Sequence, residues 1–390
     1  MDRLSESVRG PSRRGGVYVL VLVVTTIVSG MALLGLRAAI AGSSEGRRVA
    51  DSISARQHAA SGMEIGIHTI TTEPLWRVDR TEGTWLNKVA VGTGTATVAV
   101  ETVGGGPYTL DAFEPVELTG IGFEGSSRSV LRAQVALMGV DSRDHIDLLF
   151  ASGAAAYWPI DGLKSGGYEI DAVGDNSLKK SWSDSNVLPG VFPALGTNSA
   201  PWFTGTLGSM KAPSKDIYTD IRTVSVWFWV SSTTGLQGIV TRDASGRGTG
   251  GRWELAITNG ELESMFDTTS RTVSLRGGTV PTGQWNHAVL TVADDQMRLY
   301  LNGVQVDRWS STLLAGELAG CAPTETIRIG VSRRLRAPDH KGTNPITGAV
   351  CELALLKAPM SDAEVLALYE AYPAPAHYAI VADTWERIIQ

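Results

Sequence analysis

A histidine and a group of carboxylates are the side chains of this sequence whose types could support catalysis. His287 lies in a segment of strand-like alternation, where a lone histidine serves packing more often than proton transfer. Glu261, Glu263 and Asp267 follow one another closely, and glycoside hydrolysis needs two carboxylates beside the scissile bond. Alternation within this segment instead favours an exposed polar strand face. We therefore predict no catalytic residue and a protein that is not an enzyme.

Oxygen-bearing side chains of the kind that calcium prefers occur between residues 161 and 176. They lack a fixed loop spacing such as that of the EF-hand, so calcium binding stays unassigned and no cofactor is predicted. The sequence also has no phosphate-binding glycine loop and no zinc-like group of histidines and cysteines. The candidate calcium ligands are Asp161, Asp171, Asp175 and Asn176.

The charge distribution bears on the class of partner. The chain has a net charge of −6, but four arginines and two acidic residues give the first 16 residues +2, which leaves −8 for the remainder. Phosphate backbones require a concentrated basic surface, so nucleic acid is not expected as a partner. The short basic runs at 179–180 and 333–336 are predicted to be solvated loop charges.

Residues 17–36 form an uncharged apolar run of twenty residues that follows Arg13-Arg14-Gly15-Gly16. Twenty helical residues match the thickness of a bilayer core. Because the positive charge precedes the run, we expect a single-pass anchor in the cytoplasmic membrane, with a cytoplasmic N-terminus and the bulk of the chain outside. The alternative is a secretory signal cleaved at the small residues 39–41.

From residue 37 to about residue 70 the chain is rich in small residues, with apolar positions at near-helical spacing. This pattern predicts that the membrane helix continues into a stem, over residues 17–75 in all. The basic leader 1–16 and the long helix together resemble a type IV pilin-like protein. The resemblance implies cleavage between Gly16 and Val17 and assembly with other pilin-like subunits. The family's usual glutamate would fall at Val21, and its absence resembles the K-type minor pseudopilins of type II secretion and the related PilX-like proteins.

Residues 76–145 show alternation typical of strands at 95–103, 115–123 and 129–137. Three strands packed on the stem helix would form a small pilin-like sheet. The alternative is an irregular β spacer.

A second β-rich unit is predicted over residues 150–372. Residues 223–230 alternate in a pattern that uses both strand faces. Asn259-Gly260 and Asn302-Gly303 each separate two strand-like segments, and both pairs favour type I′ hairpins because their residues tolerate positive φ.

This unit resembles the laminin-G-like branch of the concanavalin A-like lectin and glucanase superfamily. The resemblance rests on motifs that include a tryptophan-x-histidine strand followed by a Leu-Tyr-Leu-Asn-Gly hairpin, and it implies an antiparallel β-sandwich of jelly-roll type with a glycan or protein ligand. The Glu261, Glu263 and Asp267 spacing departs from the Glu-x-Asp-x-x-Glu pattern of the glucanase relatives, and Cys351 stands where many members have aspartate. The segments that carry the resemblance are 157–162, 284–289, 297–303, 326–330, 346–356 and 361–369.

Cys321 and Cys351 are the only cysteines and both follow the apolar run, so we expect them to form a disulfide in an oxidising compartment. The alternative is that Cys351 is a small buried residue and that Cys321 has no partner. The tail at 373–390 fits either a returning strand or a short helix.

Two functions remain open on the sequence alone. In the first, the chain is a minor pilin or pseudopilin of a type IV pilus or type II secretion system that displays a lectin-like domain. In the second, it is a static membrane-anchored module that binds carbohydrate or protein without filament assembly. The sequence assigns no ligand-binding residues to either one.

Overall fold

A computed structural model gives the architecture of most of the chain. It places a long helix on one antiparallel sheet, and a β-sandwich of two further sheets beside them. The described residues are Thr25, Ser29, Met31 and the ranges 44–73, 75–105, 114–138, 143–160, 168–174, 177–180, 187–194, 199–206, 208–212, 220–242, 250–312, 314–319, 321, 326–332, 344–372 and 377–388.

The first unit, here called the stem unit, consists of helix α1 (Ser44–Thr72) packed on an antiparallel sheet. Its consecutive strands are β1 (Gly83–Val91), β2 (Gly94–Thr102), β3 (Val116–Glu124) and β4 (Ser127–Met138). A short helix α2 (Trp76–Asp79) lies between α1 and β1, and a 3-10 turn at Val103–Gly105 lies between β2 and β3. The predicted strands at 95–103, 115–123 and 129–137 correspond to β2, β3 and β4, whereas β1 was not predicted.

The stem unit has its own apolar core. Alternate residues of the strands, such as Val98, Leu118 and Val135, are buried against Met63 and Ile70 of α1. Gly122 allows the closest approach, since a β-carbon there would overlap the backbone of α1 at Ala55. The helix therefore lies directly on β3.

Two strands from the end of the chain complete this sheet. β21 (His377–Ile380) and β22 (Glu386–Ile388) both pair antiparallel with β4. Tyr378 of β21 is buried and meets the ring of Trp76 edge to face at 5.7 Å. The tail is thus a returning strand pair, and the second unit is inserted between β4 and β21.

That second unit is a sandwich of two eight-stranded antiparallel sheets. The front sheet has the order β15-β14-β13-β12-β19-β10-β7-β6, and the back sheet has the order β18-β17-β16-β11-β20-β9-β8, with β5 also paired to β20. The front strands are β6 (Tyr168–Glu169), β7 (Leu178–Lys180), β10 (Met210–Lys211), β12 (Leu236–Arg242), β13 (Trp253–Thr258), β14 (Glu261–Asp267), β15 (Thr272–Thr279) and β19 (Ile327–Ile329). The back strands are β5 (Ala154–Trp158), β8 (Val187–Pro193), β9 (Ser199–Thr204), β11 (Thr223–Val230), β16 (Trp285–Val292), β17 (Gln296–Leu301), β18 (Val304–Ser310) and β20 (Thr347–Leu356).

The sandwich core lies between these two sheets and follows the period-two alternation of the strands. On β11, Val226 and Phe228 point inward, while Trp227 joins a second apolar cluster on the outer face of the back sheet. The two predicted hairpins are confirmed, because Asn259 and Asn302 have φ of 50° and 52° at the turns between paired strands. The mainly β antiparallel sandwich predicted from the sequence is therefore confirmed.

Helices α3 (Arg143–Ala151) and α5 (Asp362–Glu370) cover the outer face of the back sheet. Ser361 caps α5 in the predicted capping box with Glu364. A third short helix, α4 (Leu314–Ala319), follows β18. Leu75, which follows α1, packs on the outer aromatic cluster of the back sheet and so joins the stem unit to the sandwich.

Within the part of the chain that the structure describes, no helix is both long and apolar enough to cross a bilayer. The predicted span at 17–36 lies outside the described residues except for Thr25, Ser29 and Met31, which are helical. Gly16 and Val17, the residues of the expected cleavage site, also lie outside them.

Candidate functional site

The outer face of the front sheet carries a row of polar side chains from five neighbouring strands. Its members occupy matching register positions, so their side chains lie side by side across the sheet. In sheet order the row, here called the front face, is Lys179 on β7, Lys211 on β10, Arg328 on β19, Thr241 on β12 and Glu254 on β13.

Alternation explains why these polar residues point outward. Arg328 stands between Ile327 and Ile329, which are both buried in the sandwich core. Glu254 likewise stands between two core residues, Trp253 and Leu255. Because successive side chains of a strand point to opposite faces, the buried neighbours fix the outward direction of each member of the row.

The front face changes from buried to exposed along its length. Glu254 and Arg328 are only 1% and 7% exposed, whereas Lys211 is half-buried and Lys179 is exposed. Glu254 accepts hydrogen bonds from the Ser332 hydroxyl at 3.1 and 3.0 Å on its two carboxylate oxygens. The row therefore opens towards solvent at its β7 end and has a fixed, buried carboxylate at the other.

The predicted carboxylate group on β14 does not form an acid and nucleophile pair. Glu261 pairs with Arg276, with 2.8 Å between Oε2 and Nε. Asp267 pairs with Arg252, with 2.8 Å between Oδ2 and Nε. These carboxylates balance arginines on the outer surface of the sheet, as expected for a polar strand face.

His287 lies on the other sheet and is completely buried. Its Nε2 atom is 2.8 Å from the Ser225 hydroxyl, and its ring stacks on Trp227 with 4.8 Å between ring centroids. Burial holds the pKa of His287 well below its ordinary value. A neutral histidine that is buried away from solvent supports the predicted structural role.

A cluster of buried polar side chains surrounds His287 beneath α3 and α5. The ring of Tyr372 lies 4.3 Å from Trp227 and 4.2 Å from His145, which belongs to α3. Tyr157 donates a short hydrogen bond to Glu352, which is also buried. Burial, with nearby Glu352 as a second cause, raises the pKa of Tyr372 well above its ordinary value.

Of the candidate calcium ligands, only Asp171 is among the described residues. Its Oδ1 atom accepts hydrogen bonds from the backbone of Tyr157 at 3.0 Å and of Val173 at 3.1 Å. Asp161, Asp175 and Asn176 fall outside the described residues. Among the residues that are described, no group of three or more His, Cys, Asp or Glu side chains is arranged to hold a metal ion.

The structure does not join Cys321 and Cys351, both of which are described, in the predicted disulfide. Cys351 is buried in the aromatic cluster on the outer face of the back sheet. Cys321 follows α4, packs against the core between the sheets, and has its sulfur 3.5 Å from the carbonyl oxygen of Glu317. The two cysteines thus belong to separate apolar clusters.

The front face itself was not predicted. The alternation of Ile327, Arg328 and Ile329 was a local signal for an outward basic residue. The row, however, depends on pairing among β7, β10, β19 and β12, which are far apart in the sequence. Local patterns do not contain that information.

Comparison with known proteins gives a family match for the sandwich alone. Residues 204–366 match a laminin-G-type model of the concanavalin A-like lectin/glucanases superfamily, which is about two fifths of the chain. No curated protein matches the sequence.

Solved structures with similar strand arrangements include two of a botulinum neurotoxin and one from Ruminococcus gnavus. The serotype D binding domain has 15% identity and a TM-score of 0.41, with 56% of this chain and 52% of that chain covered. The serotype D ligand binding domain in complex with N-acetylneuraminic acid has 18% identity and a TM-score of 0.42, with 57% and 52% covered. The IT-sialidase CBM40 bound to α2,3 sialyllactose has 16% identity and a TM-score of 0.34, with 39% and 83% covered.

The chain thus spans about half the length of the neurotoxin domains that it matches. The family match covers the strands from the end of β9 through β20 and most of α5. Those strands form both layers of the sandwich. Residues 204–366 therefore resemble the concanavalin A-like lectin/glucanases superfamily, and the match concerns this part of the chain alone.

Proposed function

We propose that this chain is a non-enzymatic binding protein whose sandwich recognises carbohydrate at its front face. The observation that carries the proposal is the polar row of the front face on a lectin-type sandwich. Saccharides present many hydroxyl groups, and the accessible end of the row offers the ammonium groups of Lys179 and Lys211 as donors to them. A protein ligand on the same face is the competing outcome.

The arrangement of the other polar groups supports a role without catalysis. Glu261 and Asp267 are neutralised by arginines, and His287 is sealed beneath α5. A general acid needs access to substrate, and Glu261 and Asp267 are instead held in ion pairs with Arg276 and Arg252.

A glycan array probed with the detergent-extracted full-length chain tests the proposal. We expect retention of at least one class of saccharide, with competition by the free sugar. Lys211→Trp should abolish retention by filling the exposed part of the front face, and Lys357→Trp is the matched control on an exposed lysine elsewhere. Retention of no saccharide by the folded protein, or equal retention by Lys211→Trp, contradicts the proposal.

We further propose that the stem unit is pilin-like and that residues 17–36 anchor the chain in the cytoplasmic membrane. Support comes from α1, which packs as a single long helix on an antiparallel sheet, and from the sequence of the preceding leader. In this proposal the N-terminus is cytoplasmic, the sandwich is periplasmic or extracellular, and neighbouring pilin-like subunits are partners. The first function is therefore a minor pilin or pseudopilin that displays a lectin-like domain.

N-terminal sequencing of the membrane-extracted protein separates the pilin-like proposal from its alternatives. We expect the mature chain to begin at Val17. Retention of Met1 would instead indicate a static membrane-anchored binding module. A start at Gly42 would indicate a cleaved secretory signal and would contradict the anchor as well.

A further inference from the structure

We propose that an acid-sensitive joint, formed by His145 of α3 and Tyr372 at the end of α5, holds the stem unit and the sandwich in one arrangement. The two rings meet edge to face, with 4.2 Å between their centroids. In addition, Nδ1 of His145 lies 3.2 Å from the carbonyl oxygen of Leu368 on α5. The joint does not depend on the ligand of the front face.

The joint lies where the chain crosses between the two units. β4 of the stem sheet ends at Met138, and His145 follows seven residues later in α3. On the return, Tyr372 precedes β21 by five residues, and His377 at the start of β21 is the direct partner of Met138. The contact between His145 and Tyr372 therefore ties the outgoing crossing to the returning one.

Tyr372 also connects the crossings to the back sheet. Its ring lies 4.3 Å from that of Trp227 on β11, and both belong to the outer aromatic cluster on which Leu75 of the stem unit packs. Among the described residues, the stem core and the sandwich core have no member in common. The joint can therefore open while both cores stay intact.

The hydrogen bonding of His145 explains why a proton would open the joint. A carbonyl oxygen only accepts hydrogen bonds, so the contact with Leu368 places the proton of the neutral ring on Nδ1. A second proton would bind at Nε2, which is buried and has no hydrogen-bond partner among the described residues. The charged form would thus bury both its charge and an unsatisfied N–H group, and burial lowers the pKa of His145 to about 4.

The groups around His145 favour its neutral form. His287 is also buried, and two neighbouring histidines would repel each other if both were charged. Glu352 is the carboxylate of this cluster, and it accepts the hydrogen bond of Tyr157. The described carboxylates of α3 and α5 are exposed, so solvent screens them. The titratable groups that face the joint from the neighbouring elements are Tyr157 on β5, His287 on β16, Cys351 and Glu352 on β20, and Tyr369 and Tyr372 at the end of α5.

α3 is the element that a proton on His145 would release. It has nine residues, and of those that are described only His145 and Leu149 are buried. α5 is held more firmly, by its capping box and by the buried Val365 and Leu368. Once α3 is released, Tyr372 loses the ring that packs on it, and the units can reorient about the two crossings.

Hydrogen exchange of the detergent-extracted full-length chain tests the opening of α3. An exposed histidine binds its proton near pH 6.5 and His145 near pH 4, so the closed form is favoured above pH 6.5 and loses stability as pH falls. We expect the opening constant of α3, corrected for the intrinsic effect of pH on exchange, to rise about 100-fold between pH 7.5 and pH 4. Residues 223–230 and 285–292 should stay protected.

Variants assign this effect to His145. His145→Phe keeps a ring against Tyr372, and His145→Gln keeps a donor for the Leu368 carbonyl, but neither side chain takes up a proton in this range. In both variants the opening constant of α3 should be independent of pH. His68→Gln, on the exposed side of α1, is the control and should retain the 100-fold rise.

A pair of spin labels measures the reorientation. In a chain whose two native cysteines are replaced, Ser126→Cys in the turn between β3 and β4 and Thr279→Cys at the end of β15 place one exposed label on each unit. We expect one narrow distribution of distances between the labels at pH 7.5 and a broad one at pH 4. His145→Gln should keep the distribution narrow at both pH values.

Three outcomes would overturn the inference. An opening constant of α3 that does not change with pH, or that changes equally in His145→Gln, means that His145 does not control the joint. Loss of protection in β11 and β16 together with α3 would indicate acid unfolding of the whole sandwich. A narrow distance distribution at pH 4, with α3 open, would show that α3 does not fix the arrangement of the units.

Discussion

At the scale of single residues, the buried histidines link the stability of the protein to pH. Burial lowers the pKa of His145 to about 4, although a hydrogen bond with the Leu368 carbonyl acts in the opposite direction. His287, Tyr372 and Glu352 lie in the same buried group, and the pKa of His287 is also lowered. Both histidines are therefore neutral in the folded protein at pH values where an unfolded chain already binds protons.

This difference predicts acid sensitivity. As pH falls from about 6.5, the ordinary histidine value, towards about 4, the unfolded chain takes up protons that the folded chain does not, so the melting temperature should fall. Scanning calorimetry between pH 7 and pH 4 measures this. His145→Phe, which keeps a ring against Tyr372, should reduce the slope, whereas His68→Gln on the exposed side of α1 should not. An unchanged slope in His145→Phe would show that His145 is not responsible.

The two cysteines give a second prediction at this scale. Burial raises the pKa of the Cys321 thiol, and Cys351 is 1% exposed. We expect iodoacetamide to label Cys321 slowly and Cys351 only after unfolding, because the thiolate is the reactive form. Mass spectrometry of protein unfolded without reductant should show two labels. No label under those conditions would mean that a disulfide forms after all, with rearrangement of the back sheet.

At the scale of elements, the contact between α1 and β3 depends on glycine. Gly122→Ala places a β-carbon against the backbone of α1 at Ala55, and neither partner can move without separating helix and sheet. We expect a loss of about 2 kcal/mol in the free energy of unfolding of the stem unit. Denaturation followed by hydrogen exchange in α1 and β3 measures the change.

Gly316→Ala is the matched control for that experiment. Gly316 lies in α4 and has open space where a β-carbon would project, so alanine should be neutral or stabilising by up to about 1 kcal/mol. If Gly122→Ala were as stable as Gly316→Ala, α1 would not lie on β3 as closely as described.

Elements defined by local chemistry were predictable from the sequence. The Asn-Gly turns and the Ser361 capping box each use neighbouring residues, and all three are present. β1 was missed because its pairing is interrupted by two register shifts and Lys88 has a φ of 49°. The tail was ambiguous because its partner β4 lies about 250 residues earlier, as in the 3.0 Å bond from the Gln134 amide to the Thr384 hydroxyl. The front face required the same kind of long-range pairing.

At the scale of the whole molecule, the sandwich is an insertion within the stem unit. The chain leaves the stem sheet at the end of β4 and returns at β21, where Met138 and His377 are direct partners. The last residues of the chain therefore contribute to a unit whose other strands lie near its beginning. Removal of the tail should affect the stem unit rather than the sandwich to which it is adjacent in sequence.

Truncation after Tyr372 tests this dependence. Loss of β21 and β22 should speed proteolysis and hydrogen exchange in residues 83–138 and leave residues 223–356 protected. Tyr378→Ala should have a milder effect of the same kind, because it removes the ring packed on Trp76. We expect it to lower the free energy of unfolding of the stem unit by about 3 kcal/mol. Trp385→Ala is the control, since that side chain is 51% exposed. Equal protection of residues 83–138 in the truncated chain would contradict this topology.

The insertion also determines how the protein bears mechanical force. Met138 and His377 lie at the same end of two antiparallel neighbours, so a pull on the sandwich divides between β4 and β21. A pull along β4 is parallel to the strands, whereas the hydrogen bonds between β3 and β4 run across them. Bonds loaded in this shearing geometry share the tension and must break together, whereas a peeled strand loses them one at a time. The stem sheet should therefore resist tension along β4 better than a sheet whose edge strand can be peeled away.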